Sequence, residues 1–467
     1  MRFPTLAMSA LALALVTSPL QARASVSTST IPPSGIMGVG DAQLTPAYWI
    51  GLQEQPDHVI LDRVAIAAEN TKLLKLDASM HDLRALPKTL FREQVAGWIT
   101  ELSRRPTRAL YDVDSKPVSS ATLNATIANL ALSGIPASQS TRYGLVVQRA
   151  SLRTFPTDLR VFSSKGDTDI DRFQETAEFP GTPVAIVHVS KDGQWLFVVS
   201  PRYAAWTRKE NVAEGTRAQV FGYADRTPYR VVTGATVQTV FTREVPAVSR
   251  LQLDMSTRVP LQTGLPPDQP VNGQSAYAAY TIKLPLRQQD GKLAFTPALL
   301  QKNTDTAPDD LPLTPANIIR QAFKFLGERY GWGHGYDARD CSGFASDVYR
   351  SMGVQMPRNT SRQAISPALS HRTFTDADSR EARIKAAREL QVGDLVYIPG
   401  HVMMVLGQRD GQPYVINDVA GMSYRLQDGS IRRVKLNSVA VTPLLPMLFN
   451  DQQTFVDRMT SIVRIRH

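Results

Sequence analysis

Cys341 is the only cysteine in the chain. It stands between a glycine-rich stretch, Tyr330-Gly-Trp-Gly-His-Gly-Tyr336, and a run in which Phe344, Ala345, Val348, Tyr349 and Met352 recur at three- and four-residue steps. That spacing predicts an amphipathic helix with the thiol at its N-terminus, where unpaired N–H groups and the helix dipole favour a thiolate. Free cysteine is among the most buried residue types, but a core thiol needs neither a flanking Asp340 nor a flexible loop before it. Nucleophilic chemistry at sulfur requires a histidine to take the proton and a third group to orient the imidazole. Among the seven histidines, His401 opens the apolar run Val402-Met-Met-Val-Leu406 and so lies at the mouth of a buried strand. The turn Asp410-Gly411 then returns the chain as Tyr414-Val-Ile-Asn417-Asp418. In a strict two-residue hairpin, paired positions sum to 821 and Asp418 shares the face of His401. A one-residue bulge puts Asn417 there instead, and Pro413, which cannot donate to the ladder, makes room for one. On the sequence both registers stand open.

The elements that must hold these groups are legible in outline. Arg2, the apolar run Leu6 to Val16, Pro19 and Ala22-Arg-Ala24 read as a secretory signal peptide over 1–24, with an apolar run too short for the roughly 20 residues of a membrane span. Residues 25–47, rich in Ser, Thr, Pro and Gly, read as a linker. Over 48–140, Leu73, Leu74, Leu76, Phe91, Val95, Trp98, Ile99 and Leu102 recur at helical steps and predict a small helical region. After Thr141 the segments become short, β-branched and aromatic, with Asp192-Gly193 and Asp290-Gly291 as two-residue hairpin turns. Two small β-barrels are expected, at 141–215 and at 216–302, the second with a strand through Phe221. Residues 303–313 read as an acidic linker. Thr314-Pro315 opens a helix and a new unit over 314–450, leaving 451–467 as a tail.

In order and spacing, Tyr330-x-Trp-Gly, Asp340-Cys-Ser-Gly-Phe344, Pro357-Arg358, Gly393-Asp-Leu395, His401-Val402 and Tyr414-Val-Ile-Asn417 resemble the NlpC-type cell-wall cysteine peptidases. That is a papain-like α+β family which cuts peptidoglycan stem peptides. The resemblance spans about 315–450, and the β region before it, with Ser200-Pro-Arg-Tyr203 and Trp206, resembles the SH3-like domains of multi-domain members. The N-terminal helical segment is similar to theirs as well. The resemblance implies Cys341 as nucleophile, His401 as general base and acid, and Asn417 as the third group, where many relatives carry histidine. It places the Tyr330 hydroxyl beside the thiolate, and Asp340 and Ser342 against the substrate. Asp340 would bind the free amine of an N-terminal L-Ala, with Tyr203 closing that pocket, which implies cleavage between γ-D-Glu and diaminopimelate in stems freed from glycan.

Other chemistry is set aside on pattern. Asp167, Asp169, Asp171 and Glu178 mimic a calcium loop, but Arg172 stands where its sharp turn needs glycine. Gly331, Gly333 and Gly335 do not form a dinucleotide fingerprint, and His58, His81, His188, His334 and His371 are too scattered to hold zinc. No cofactor and no metal is therefore expected. The chain has 467 residues and a net charge of +10, with Lys and Arg dispersed along it; an exported protein of this kind suits an anionic wall polymer better than nucleic acid. The expectation is a periplasmic or secreted enzyme without a stable membrane anchor or lipid-bearing cysteine. Its competitors are a wall-binding scaffold without turnover, and amidase or transpeptidase chemistry on the same Cys and His. Oligomeric state has no signal in the sequence.

Overall fold

The computed structural model describes residues 34–466, so the expected signal peptide and the first part of the expected linker lie outside the described residues. From Ser34 onward the chain is not a tether. Ile36 and Val39 are buried in the largest core, and the carbonyls of Gly35 and Gly38 accept the hydroxyls of Tyr424 and Tyr414, each at 2.9 Å. A Ser/Pro/Gly-rich composition had concealed two apolar anchors and two carbonyls that seal tyrosines of the C-terminal sheet.

The helical region contains Arg63–Leu76, Arg92–Leu102 and Ser120–Ala128. Val95 and Ile99 point inward as their spacing predicts, and share one core with Leu145, Phe197 and Trp206 of the first barrel. That barrel is a seven-stranded antiparallel sheet in the order Gln174–Glu178, Ala150–Arg153, Ala204–Arg208, Trp195–Val199, Pro183–Val189, Arg142–Val146, Val212–Gly215. Its Asp192-Gly193 turn is longer than expected. Ser190 N–H bonds to the Trp195 carbonyl, only Gly193 takes a positive φ (69°), and the Asp192 carboxylate caps Ser190 Oγ and Gln194 N–H. The side-chain cap stabilises a right-handed turn, so one glycine suffices.

The second β unit also departs from expectation. Phe221 lies in the helix Arg217–Ala224, started by a Thr216/Gln219 capping box, and packs back on the first barrel. The strands beyond it form three small antiparallel sheets around one core of Val232, Leu253, Val259, Ile282, Leu284 and Leu300. The expected acidic linker contributes to one of them, since Thr306–Ala307 pairs with Tyr229–Val232.

In the C-terminal unit a six-strand path runs Ser370–Thr373, Ser461–Arg464, Leu395–Ile398, His401–Arg409, Gln412–Arg425, Ile431–Pro443, with Met447–Leu448 added beside it. The expected tail thus contains an inner strand: Ile462 and Val463 are buried between two neighbours, so 451–466 belongs to this unit. The helices Pro315–Phe323 and Cys341–Arg350 pack with this sheet through Ile319, Phe344 and Val348. Among the described residues no helix is long and apolar enough to cross a membrane.

Candidate active site

Cys341 is the first residue of its helix, as its spacing predicts, and Asp340 caps that helix by accepting the Gly343 N–H at 2.8 Å. The helix can begin here only because Gly343 lacks a side chain: a Cβ would stand 2.3 Å from Cε1 of the fully buried His334. His334 belongs to the preceding loop, in which Gly333, His334, Tyr336 and Asp337 all take left-handed φ values of 56–59°. Three of these are not glycine, and each such residue costs about 1–2 kcal/mol that the surroundings must offset.

His401 begins the strand His401–Arg409, which packs against the helix of Cys341. The register question is settled by a bulge. Pairs near the Asp410-Gly411 turn sum to 821 (Arg409↔Gln412, Gly407↔Tyr414), pairs beyond Leu406 sum to 820 (Val405↔Val415, Met404↔Ile416), and Asn417 therefore shares the face of His401. Its Oδ1 accepts from His401 Nε2 at 2.8 Å, while its Nδ2 is held by the Ala440 carbonyl at 3.3 Å and by Thr442 Oγ1 at 3.4 Å. With the proton on Nε2, the Nδ1 lone pair is left to act as base. Asp418 takes no part in this: neither carboxylate oxygen has a partner among the described residues, and burial, with Asp340 and Glu328 nearby, pushes its pKa up to about 9.

A cleft of 540 Å³ opens over the thiol. Tyr330 lines it, with a hydroxyl that has no hydrogen-bond partner among the described residues. Thr360 Oγ1 lies 3.7 Å from the sulfur. Ser342 reaches the cleft but is tied to Asp340 at 3.2 Å and to Arg358 at 2.9 Å. Asp340 is busier than an amine anchor can be. It accepts Gly343 and Gly333 N–H groups, the Ser342 hydroxyl and a two-pronged Arg358 (2.8 and 3.1 Å), which occupies both oxygens. The carboxylate with spare acceptor capacity is Glu175, on the first barrel, which lines the same cleft. One of its oxygens takes the Thr154 hydroxyl, and the other takes the Tyr203 hydroxyl at 2.6 Å. Tyr203 itself lines an adjoining niche with His81 and Trp98, so it supports Glu175 rather than closing the pocket directly. Glu175 carried no signal in the sequence, being one of four polar residues in the short strand Gln174–Glu178. Arg358 stood within a recognised motif, but its partners are far apart along the chain. Ser361, Ala364, Ile365, Ile398 and Pro399 form an uncharged part of the cleft lining.

Burial pushes the Cys341 thiol up to about 12, the Asp340 charge adds to the rise, and bonds from Thr360 and Val402 oppose it. Burial likewise lowers His401, against the bond to Asn417. Burial therefore opposes the expected thiolate, and the dipole's contribution of ~0.3–1 kcal/mol is smaller than the cost of burying the charge. The sign for activity follows: the neutral base persists below the ordinary histidine pKa of about 6.5, so the acid limb of kcat/KM is expected below that value. Alkylation of Cys341 should keep rising with pH through about 9, near the ordinary thiol range; a plateau already reached below pH 6 would instead mean a thiolate–imidazolium pair.

The unit thus carries a cysteine at a helix N-terminus and a hydrogen-bonded His401–Asn417 pair on its antiparallel sheet. Residues 327–430, which include Cys341, His401 and Asn417, match the NlpC/P60 family, and residues 160–208 match the SH3 domain of SH3b1 type. The chain thus carries an NlpC/P60 domain preceded by an SH3b domain. It is 27% identical over 259 residues to a γ-D-glutamyl-L-lysine dipeptidyl-peptidase of Bacillus cereus, across 50% of this chain and 65% of that one. The chain therefore spans less than two thirds of that relative's length. A solved NlpC/P60 endopeptidase from Photobacterium damselae subsp. piscicida superimposes with a TM-score of 0.71 at 18% identity, covering 88% of this chain and 94% of the other. At that identity the likeness is one of fold.

Proposed function

We propose that this protein is an exported cysteine endopeptidase that hydrolyses peptidoglycan stem peptides between γ-D-Glu and the following diamino acid. The observation that carries the reading is one cleft lined both by Cys341 and by a carboxylate, Glu175, able to receive an ammonium group, with the hydrogen-bonded His401–Asn417 pair beginning at the residue after its lining Gly400. Burial raises Glu175 above the usual carboxyl range, against the bonds from Thr154 and Tyr203, and an arriving cation supplies the compensating charge. A free N-terminal L-Ala amine fits there, one residue before the attacked carbonyl. The uncharged part takes the leaving diamino acid.

His401 Nδ1 accepts the thiol proton as Cys341 Sγ bonds to the γ-carbonyl carbon. The oxyanion is met by the Cys341 N–H, which has no acceptor within its helix, and by the Tyr330 hydroxyl. Collapse breaks the C–N bond, and the imidazolium gives its proton to the leaving amine. Water, deprotonated by the same nitrogen, hydrolyses the thioester and frees the thiol.

The test is product analysis with three substrates: the free L-Ala-γ-D-Glu-diaminopimelate tripeptide, its N-acetylated form, and intact sacculi. Cysteine-dependent release of L-Ala-D-Glu from the free tripeptide is expected. Glu175→Gln should lower kcat/KM for that substrate about 10–100-fold, the loss of one charge-assisted bond of roughly 1.5–3 kcal/mol, and should leave the N-acetylated tripeptide unaffected. Absence of cysteine-dependent product from all three would defeat the reading and favour a wall-binding scaffold, whereas transfer of the acyl group to an added amine would make the enzyme a transpeptidase.

A further inference from the structure

The strained loop before Cys341 is fixed largely from outside its own unit. Arg149, on the first barrel with a side chain only 10% exposed, donates from Nη1 to the His334 carbonyl at 2.7 Å and from Nη2 to the Ala338 carbonyl at 2.9 Å. Its Nη1 also stands 3.3 Å from the Asp337 carboxylate. These contacts bracket the left-handed residues His334, Tyr336 and Asp337. Gln174, from the same barrel, donates to the Gly333 carbonyl at 2.9 Å and accepts the Trp332 indole N–H on its own carbonyl at 3.1 Å. Gly333 then donates to Asp340 Oδ2 at 3.0 Å, and Asp340 caps the helix whose first residue is Cys341. On the far side, the buried Asp254 of the second β unit lies 2.8 Å from Arg339 Nη2 and 3.4 Å from Arg149 Nε.

We propose that Arg149 is a positioning residue for the hydrolysis: it clamps the left-handed loop and, through Gly333 and Asp340, sets where the Cys341 thiol stands in the cleft. The proposal rests on the cysteine-peptidase reading given above. The first barrel is then part of the catalytic unit and not only an adaptor for the wall. Three non-glycine residues in the left-handed region within four positions, His334, Tyr336 and Asp337, do not hold themselves; without the guanidinium fork, the His334 and Ala338 carbonyls lose their donors and the loop is free to relax. The Gly333 N–H then leaves Asp340, and the helix terminus loses one of its restraints.

The test uses the full chain with Arg149→Ala, Arg149→Lys and Gln174→Ala, read in two ways. One is kcat and KM on the free tripeptide; the other is the rate of Cys341 alkylation by iodoacetamide against pH, which needs no substrate. Arg149→Ala is expected to lower kcat at least 30-fold with KM changed less than threefold, and to displace the alkylation profile. Arg149→Lys, which keeps the charge but loses the fork, should recover part of the loss. A folded Arg149→Ala protein with kcat within twofold of the parent and an unchanged alkylation profile would overturn the proposal. So would an activity loss that merely tracks the unfolded fraction. Should Arg149→Ala not fold, Gln174→Ala and Arg149→Lys decide: a tenfold fall in kcat in folded protein supports the clamp, and unchanged kinetics in both refute it. A parent enzyme without cysteine-dependent hydrolysis would defeat the functional reading alone, since the alkylation profiles still report on the clamp.

Discussion

Cys341→Ala is expected to remove hydrolysis by at least about 10⁴-fold, or roughly 5.5 kcal/mol of transition-state stabilisation at 1.36 kcal/mol per decade. Without the sulfur no acyl intermediate forms, and the remaining donors, the residue-341 N–H and Tyr330, act only on whatever water reaches the carbonyl. The protein should remain folded. Cys341 contributes a small, 5% exposed side chain at the edge of a large core, and its loss costs on the order of 1 kcal/mol. Purified Cys341→Ala with an unchanged circular dichroism spectrum, a melting temperature within a few degrees and no product is the predicted result. Retention of even a hundredth of the parent rate would remove Cys341 from the mechanism.

Arg358→Met should have the largest effect on stability. The Arg358 side chain, 3% exposed, donates to Asp340 at 2.8 and 3.1 Å, to Ser342 at 2.9 Å, to Thr176 at 2.6 Å and to His334 Nδ1 at 2.7 Å. It thereby joins the first barrel, the strained loop and the helix cap. Burial works against ionisation of Asp340, yet the Arg358 charge and bonds, with His334 and the Gly343 N–H, hold its pKa below the usual range. Removing the guanidinium leaves that carboxylate buried and unpaired, a loss typically of about 3–5 kcal/mol. The pH dependence fixes the cause. In the parent, the stabilisation from a depressed carboxyl is present above the unfolded pKa of about 3.9 and is lost as pH falls through the folded value. In Arg358→Met the unpaired charge costs most at neutral pH and is relieved on acidification. Urea unfolding should therefore show a deficit that is large at pH 7 and smaller near pH 4. A deficit independent of pH would point to packing alone. Arg358→Lys should not restore the parent, because an ammonium cannot reproduce the fork.

Much of the chemistry was legible because it is local. A lone cysteine after glycines and before a 3.6-residue apolar period announces a helix-terminal thiol, and His401 at the head of a five-residue apolar run announces a strand mouth. The third group was not legible, since it turned on whether Leu406 bulges. The bulge adjoins Gly407, whose φ is 142°, where a Cβ would lie 3.2 Å from Gln53 Nε2 and 3.8 Å from the Trp49 ring. The register is thus tied to packing by a segment more than 350 residues earlier, and no pattern near Asn417 reveals it. Asp340 misled for a related reason. Its place before the nucleophile was plain, but its five donors come from Gly333, Ser342, Gly343 and Arg358, of which only the helix cap is implied by position. Glu175 and Arg149 lie on the first barrel, so their roles depend on how two units dock. The strand Ser461–Arg464 had the right composition, Ser-Ile-Val-Arg, but its inner place between Ser370–Thr373 and Leu395–Ile398 is a matter of topology.

The central claim is that Cys341 carries the acyl group, and the most direct measurement exploits its being the chain's only cysteine. The full-length protein is carbamidomethylated to graded extents, the label per chain is counted by intact mass spectrometry, and each sample is assayed for release of L-Ala-D-Glu from the free tripeptide. Activity is predicted to fall linearly with label and to reach zero at one group per chain. Fully labelled protein that still releases the dipeptide would contradict the account.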